Sequence, residues 1–173
     1  VTLTYGGWDM HNGINAAMPF IAAILFAPLV PMLTRRMSLL GVLLLSGGFD
    51  VVVILAFTLS DDTWVWLGLR FLMGIGMLFH WVSSEIWVNA ATTDANRGKI
   101  IGINGALFSA GMICGPLVLG EVGTSGNLPF FISAVLVVAA MSPLLFAFGT
   151  APDASSDHKT NLLAAVRKAP TPM

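Results

Sequence analysis

The sequence predicts an all-α fold, a polytopic transmembrane helix bundle, and three observations carry that prediction. The chain of 173 residues is 56% hydrophobic and only 10% charged, with a mean hydropathy of +0.85, whereas soluble domains carry about 25% charged residues. Its apolar residues gather into five runs, each near the roughly 20 residues that a bilayer core demands of a helix. The connecting pieces TRRMS, SDDTW, TTDANRGK and EVGTSGN are short and rich in turn formers and charge. A transmembrane β-barrel would show segments of about ten residues alternating in hydrophobicity, and LLGVLLLSGG and LFHWVSSEIWV do not alternate.

The expected spans are Gly13 to Thr34, Ser38 to Leu59, Trp64 to Ala91, Ile100 to Gly120 and Leu128 to Gly149. Residues 1–12 are expected to be the outward-facing end of a missing first helix, or a loop. The chain opens on Val1 rather than Met and shows no basic, apolar, small-residue succession of a signal peptide, so it reads as a piece of a longer chain. Residues 150–173 begin as a polar linker and continue as a short amphipathic segment, Asn161 to Lys168, stopped by two prolines.

Orientation follows from the basic residues, because Lys and Arg in short loops stay cytoplasmic. Arg35 and Arg36 follow the first run, Arg97 and Lys99 the third, and Lys159, Arg167 and Lys168 the fifth, while the opposite loops carry Asp61, Asp62 and Glu121. The expectation is a multi-pass protein of the cell membrane with the tail, residues 150–173, in the cytoplasm. A net charge of −1 leaves no basic footprint for a nucleic-acid partner. The lone Cys114 has no companion for a disulfide or a metal site, and no cofactor is expected.

The third run is unusual in carrying Arg70, His80 and Glu85. An intramembrane charge costs from about 2.5 to above 10 kcal/mol by different estimates, so such groups normally face a cavity or a partner. At 100° per residue, Gly74, Met77, His80, Trp81, Ser84 and Glu85 fall within about 80° of Arg70, while Phe71, Leu72, Ile75, Leu78, Phe79, Val82 and Ile86 take the opposite arc. A polar-lined path between helices follows from that sorting. Asp50 on the second run is expected near the level of Arg70, where the two would neutralise each other. Their functional reading is a coupling or substrate path, and the bland one is a staple between helices. His80 is either a hydrogen-bonded packing residue or a proton relay, its ordinary pKa of ~6.5 allowing exchange near neutrality. Glu85 either pairs with Arg35 or Arg36 across an inner gate or serves as a coupling carboxylate. On the fourth run, Gly102, Gly105, Ser109, Gly111 and Gly115 form small-residue rows that let backbones approach, and Pro116 removes a backbone donor and favours a bend. Trp64 and Trp66 read as interfacial anchors.

A weak internal repeat sets LFAPLVP at 25–31 against ICGPLVL at 113–119, an offset of 88 residues. The same offset carries the second run almost onto the fifth and implies one helix lost upstream.

These residues resemble a family. RFLMGIGM at 70–77 is similar to the RxxxGxG motif of the fourth helix of the major facilitator superfamily, SAGMICGPLVLG at 109–120 to its fifth-helix GxxxGP motif, and RGKIIG at 97–102 to the basic loop between them. The SSEIWVN run, 83–89, also looks like some bacterial members. The resemblance implies helices two to six of an amino-terminal, six-helix half whose first helix is missing, with a second six-helix half as partner. It also implies that Arg70 serves the path, and that Gly111, Gly115 and Pro116 bend their helix. Two departures stand out: PMLTRRMSLL has Arg35 where the family's loop carries an acid and Ser38 where it carries glycine, and Leu119-Gly120 replaces a glycine pair.

The function expected is that of a secondary active transporter, not an enzyme, moving a small solute across the lipid bilayer by alternating access, with protons as one option for coupling. Gating would fall to Arg35, Arg36 and Arg97, and the path to Asp50, Arg70, His80, Trp81 and Glu85. The alternative is a non-transporting membrane scaffold or sensor whose buried charges are structural. A third reading, an intramembrane hydrolase, would need Ser83 or Ser84 with His80, and no orienting acid is in view.

Overall fold

Prolines and caps divide the apolar runs more finely than hydropathy does. The computed structural model describes residues 5–123 and 125–147, which form six α-helices with no strand among the described residues. Helix α1 spans Tyr5–Phe26 and carries Pro19 within it. Residues 5–12 are therefore continuous with the first span rather than a loop or the end of another helix, because one α-helix runs from Tyr5 to Phe26 although Pro19 gives it no N–H. Pro28 has no N–H to give to that ladder, and Ala27–Leu29 tighten into a 3₁₀ turn before the short helix α2, Val30–Arg36. The first crossing, Asn12–Arg36, is thus a helix interrupted once.

Met37 and Ser38 turn extended, and Ser38 caps helix α3, Leu39–Ala56, its hydroxyl accepting from the N–H of Gly41 at 3.1 Å. A 3₁₀ turn at Phe57–Leu59 closes it. Asp62 then starts helix α4, Thr63–Ala91, its carboxylate accepting from the N–H groups of Trp64 at 2.7 Å and Val65 at 3.4 Å. Capping of this kind satisfies donors that the first helical turn leaves without partners. Helix α5 runs Arg97–Val122 and stays helical through Pro116. It stops at Gly123, whose φ of 83° suits only a residue without Cβ, and whose N–H closes on the carbonyl of Leu119 at 2.9 Å. Helix α6, Leu128–Met141, ends eight residues before the expected limit of its span because Pro143 converts the continuation into a 3₁₀ turn, Ser142–Phe146. Residues 148–149 of that span, the amphipathic segment at 161–168 and residues 1–4 lie outside the described residues.

Helix α4 packs against α1 on one side and α3 on another, and α6 lies on α3. The apolar core sits on α3, where Leu39, Leu40, Val42, Leu43, Val53 and Ile54 are buried. Helix α5 buries no residue. Large apolar side chains such as Phe20, Ile24, Leu107 and Val135 lie more than 60% exposed, a surface that lipid or other protein can cover and water cannot.

Candidate functional site

Glycine decides where the helices meet. A Cβ on Gly74 would strike the Pro19 backbone of α1, 2.5 Å from its Cα. A Cβ on Gly76 would strike the Asp50 carboxylate of α3, 2.7 Å from its Cγ. Two residues apart on a helix means about 200° around its axis, so the two glycines serve two different neighbours. A third close approach brings Met141 of α6 over Gly47 of α3, with its Cε 2.7 Å from where a Cβ would be. The small residues expected to do this on the fourth span do not: nothing lies within 4 Å of a Cβ built on Gly102, Gly105, Gly111 or Gly115. Their row is present, but among the described residues no neighbour closes on it.

The Gly76 contact fixes the register of the α3–α4 seam and corrects an expectation. Asp50 does not pair with Arg70. It stands opposite Gly76, six residues farther along α4, or roughly 9 Å at 1.5 Å per residue. The end of α3 tightens to a 3₁₀ turn and α4 starts at Thr63, which brings Phe57 rather than Asp50 to the level of Arg70. The Arg70 Cζ lies 5.9 Å from the centroid of the Phe57 ring. That ring stacks on Phe130 of α6 at 5.7 Å and an interplanar angle of 5°. Trp66 meets both rings edge-on, at 5.3 Å and 6.0 Å, and donates from Nε1 to the Ser60 carbonyl at 2.6 Å. Trp66 is therefore a packing residue of this cluster, while Trp64 is 75% exposed.

Around α4, five buried side-chain atoms have no hydrogen-bond partner among the described residues: Asn15 Oδ1, Asp50 Oδ1, Arg70 Nε, His80 Nδ1 and Ser83 Oγ. Buried polar atoms are normally paired, and each exception needs a reason. They come from α1, α3 and α4, the three helices that meet at Gly74 and Gly76. Of the expected path residues this group contains Asp50, Arg70 and His80. Trp81 points elsewhere, 44% exposed and edge-on to Phe108 of α5 at 5.1 Å. Glu85 is half-buried and forms no ion pair with Arg35 or Arg36: the ion pair found among the described residues is Arg97–Asp94 at 4.0 Å, a surface contact of little worth. Arg35 and Arg36 are exposed and border a cleft of about 380 Å³ with Pro28, Pro31 and Met32.

Two further clefts are apolar. One of about 510 Å³ runs along α3 and α4 past Phe49, Val52, Gly76 and Phe79. Another, about 350 Å³, lies between α5 and α6 and is lined by Gly111, Cys114, Gly115 and Pro129. No charged residue borders either. Nor do the serines assemble a nucleophile: Ser84 donates to the Trp81 carbonyl at 2.7 Å, and Ser83 Oγ meets no base. Two members of the site escaped sequence reasoning. Asn15, a polar residue inside an apolar run, was a visible signal; Phe57 was one apolar residue among many.

Comparison with known proteins matches the sequence to a family. The profile of the Major Facilitator Superfamily aligns with residues 3–171. The chain belongs to that superfamily. Its members are membrane transporters rather than enzymes, built as polytopic helix bundles. Among relatives, the uncharacterized MFS-type transporter YfkF of Bacillus subtilis is 28% identical over 86% of this chain and 38% of its own length. The uncharacterized MFS-type transporter YE1530 of Yersinia enterocolitica is 38% identical over 51% of the chain and 23% of its own length. The class B tetracycline resistance protein of Escherichia coli is 33% identical over 80% and 34%. The matched stretches thus span between 23% and 38% of the length of these relatives.

Proposed function

We propose that this superfamily chain is the amino-terminal part of a secondary active transporter that moves a small solute by alternating access. The solute path would run along α4. The observation that carries this reading is the group of unpartnered buried atoms on Asn15, Asp50, Arg70, His80 and Ser83. Polar groups left unpaired inside a membrane protein are expensive and mark solute or ion pathways. A transporter that must bind and release needs donors and acceptors that its own fold has not already spent. Arg35, Arg36, Arg97 and Lys99 at one end of the bundle favour that end as cytoplasmic, with residues 150–173 on the same side as a linker to a second six-helix half. Gly111, Gly115 and Pro116 on α5 would supply bending, and protons the coupling.

The test is uptake into proteoliposomes holding the complete protein under an imposed pH gradient. Tetracycline heads the solute panel, because the class B resistance protein is a relative, and amphipathic aromatic and anionic compounds follow. Gradient-driven accumulation that falls at least tenfold in Arg70→Ala and Asp50→Asn is the expected result. Normal assembly of both variants with transport unchanged would remove Arg70 and Asp50 from the path, and an assembled wild-type protein that accumulates no solute of the panel would hand the case to a scaffold.

A further inference from the structure

We propose that Phe57 is a positioning residue for Arg70, holding the guanidinium on an aromatic face so that it is fixed in place with its hydrogen-bond donors free. Arginine in a membrane interior is ordinarily held by a carboxylate, and here none does so: Asp50 lies against Gly76, and the ion pair found among the described residues is Arg97–Asp94. The group near the guanidinium is the Phe57 ring, 5.9 Å from Cζ and itself 5% exposed. The electron-rich face of an aromatic ring attracts a guanidinium at such distances. A carboxylate would occupy two of the five N–H donors in a fork, whereas a ring face occupies none.

The ring is in turn fixed from two sides. Phe130 stacks on it from α6, Trp66 meets it edge-on from α4, and Trp66 is pinned by its bond to the Ser60 carbonyl. The start of α6, the end of α3 and the first turns of α4 therefore set the position of Arg70 together. The consequence for function rests on the proposed path along α4: Arg70, half-buried and with its Nε buried, would present an oriented and unspent set of donors to whatever passes. The positioning itself does not depend on transport.

The experiment reads the Arg70 Nε–Hε resonance in the complete protein, arginine-labelled with ¹⁵N in lipid nanodiscs, and assigned by its loss in Arg70→Lys. A proton over a ring face is shifted upfield. In Phe57→Leu the resonance should move downfield by a few tenths of a ppm, and in Phe57→Tyr it should stay. A wild-type position in Phe57→Leu overturns the proposal. Should Phe57→Leu not fold, fluorinated phenylalanines at 57 keep the shape while weakening the face. The resonance should then move stepwise with each added fluorine, and its immobility would overturn the proposal equally. If Phe57 proves to hold Arg70 while Arg70→Ala transports normally, the positioning stands and the transport role of the arginine falls.

Discussion

The most exacting consequence of the packing concerns Gly74. Replacing it by alanine adds a methyl carbon 2.5 Å from the Pro19 Cα and 2.8 Å from its carbonyl carbon. Carbon atoms in contact sit at about 3.5–4.0 Å, so α1 and α4 must part by roughly 1 Å. The obstruction is backbone, which cannot rotate aside as a side chain would. Overpacking of this kind costs about 1–3 kcal/mol. Alanine also gains about 1 kcal/mol over glycine in a helix, which complicates any single measurement. Gly48→Ala removes that complication: it makes the same exchange inside α3, with nothing within 4 Å of the new carbon. The propensity gain cancels between the two, and the gap in unfolding free energy should be about 1–3 kcal/mol, with Gly74→Ala the weaker. Equilibrium unfolding of the complete protein in mixed micelles, by titration with SDS, measures it. If Gly74→Ala unfolds together with Gly48→Ala or after it, α1 and α4 do not meet at Pro19 as described.

Two further outcomes are expected. Gly47→Ala should cost less than Gly74→Ala, because it meets the flexible Met141 side chain, and most of its loss should return in the double variant with Met141→Ala, a coupling read from a double-mutant cycle. Asp62→Ala, which strips the acceptor from the N–H groups of Trp64 and Val65, should lower stability by about 0.5–2 kcal/mol, with Asp62→Ser restoring most of it in the same SDS titration.

The helices were readable because hydropathy over 20 residues sums many side chains, and no single one can overturn the sum. Register was not. Whether Asp50 meets Arg70 or Gly76 depends on where α3 tightens and where Asp62 starts α4, a matter of a few residues that composition does not record. The small-residue row of α5 shows the same limit from the other side. Its glycines were legible as a smooth face, but a face becomes a contact only if a neighbour arrives, and none lies within 4 Å of Gly102, Gly105, Gly111 or Gly115 here. Phe57 was invisible for a third reason: its role comes from Phe130, more than seventy residues away, and from Trp66 across a turn.

The spacing of Gly74 and Gly76 has a consequence for the proposed path. Glycines four apart would smooth one face of a helix, whereas these two, about 200° apart, smooth two, and α1 and α3 close on them. A solute moving along α4 cannot pass where Pro19 and Asp50 already touch the backbone. The short way round between the two notches is an arc of about 160°, on which Met77, 52% exposed, and His80, half-buried, both fall. The polar stripe expected from the sequence was centred on Arg70 and spread about 80° to either side; packing shifts it to this arc, with Arg70 about 40° inside its Gly74 limit. On the proposed function, a cysteine at Met77 in the complete protein should react with a water-soluble thiol reagent and be protected by a transported solute. A cysteine at Leu72, on the α3 side of the same helix, should show no such protection.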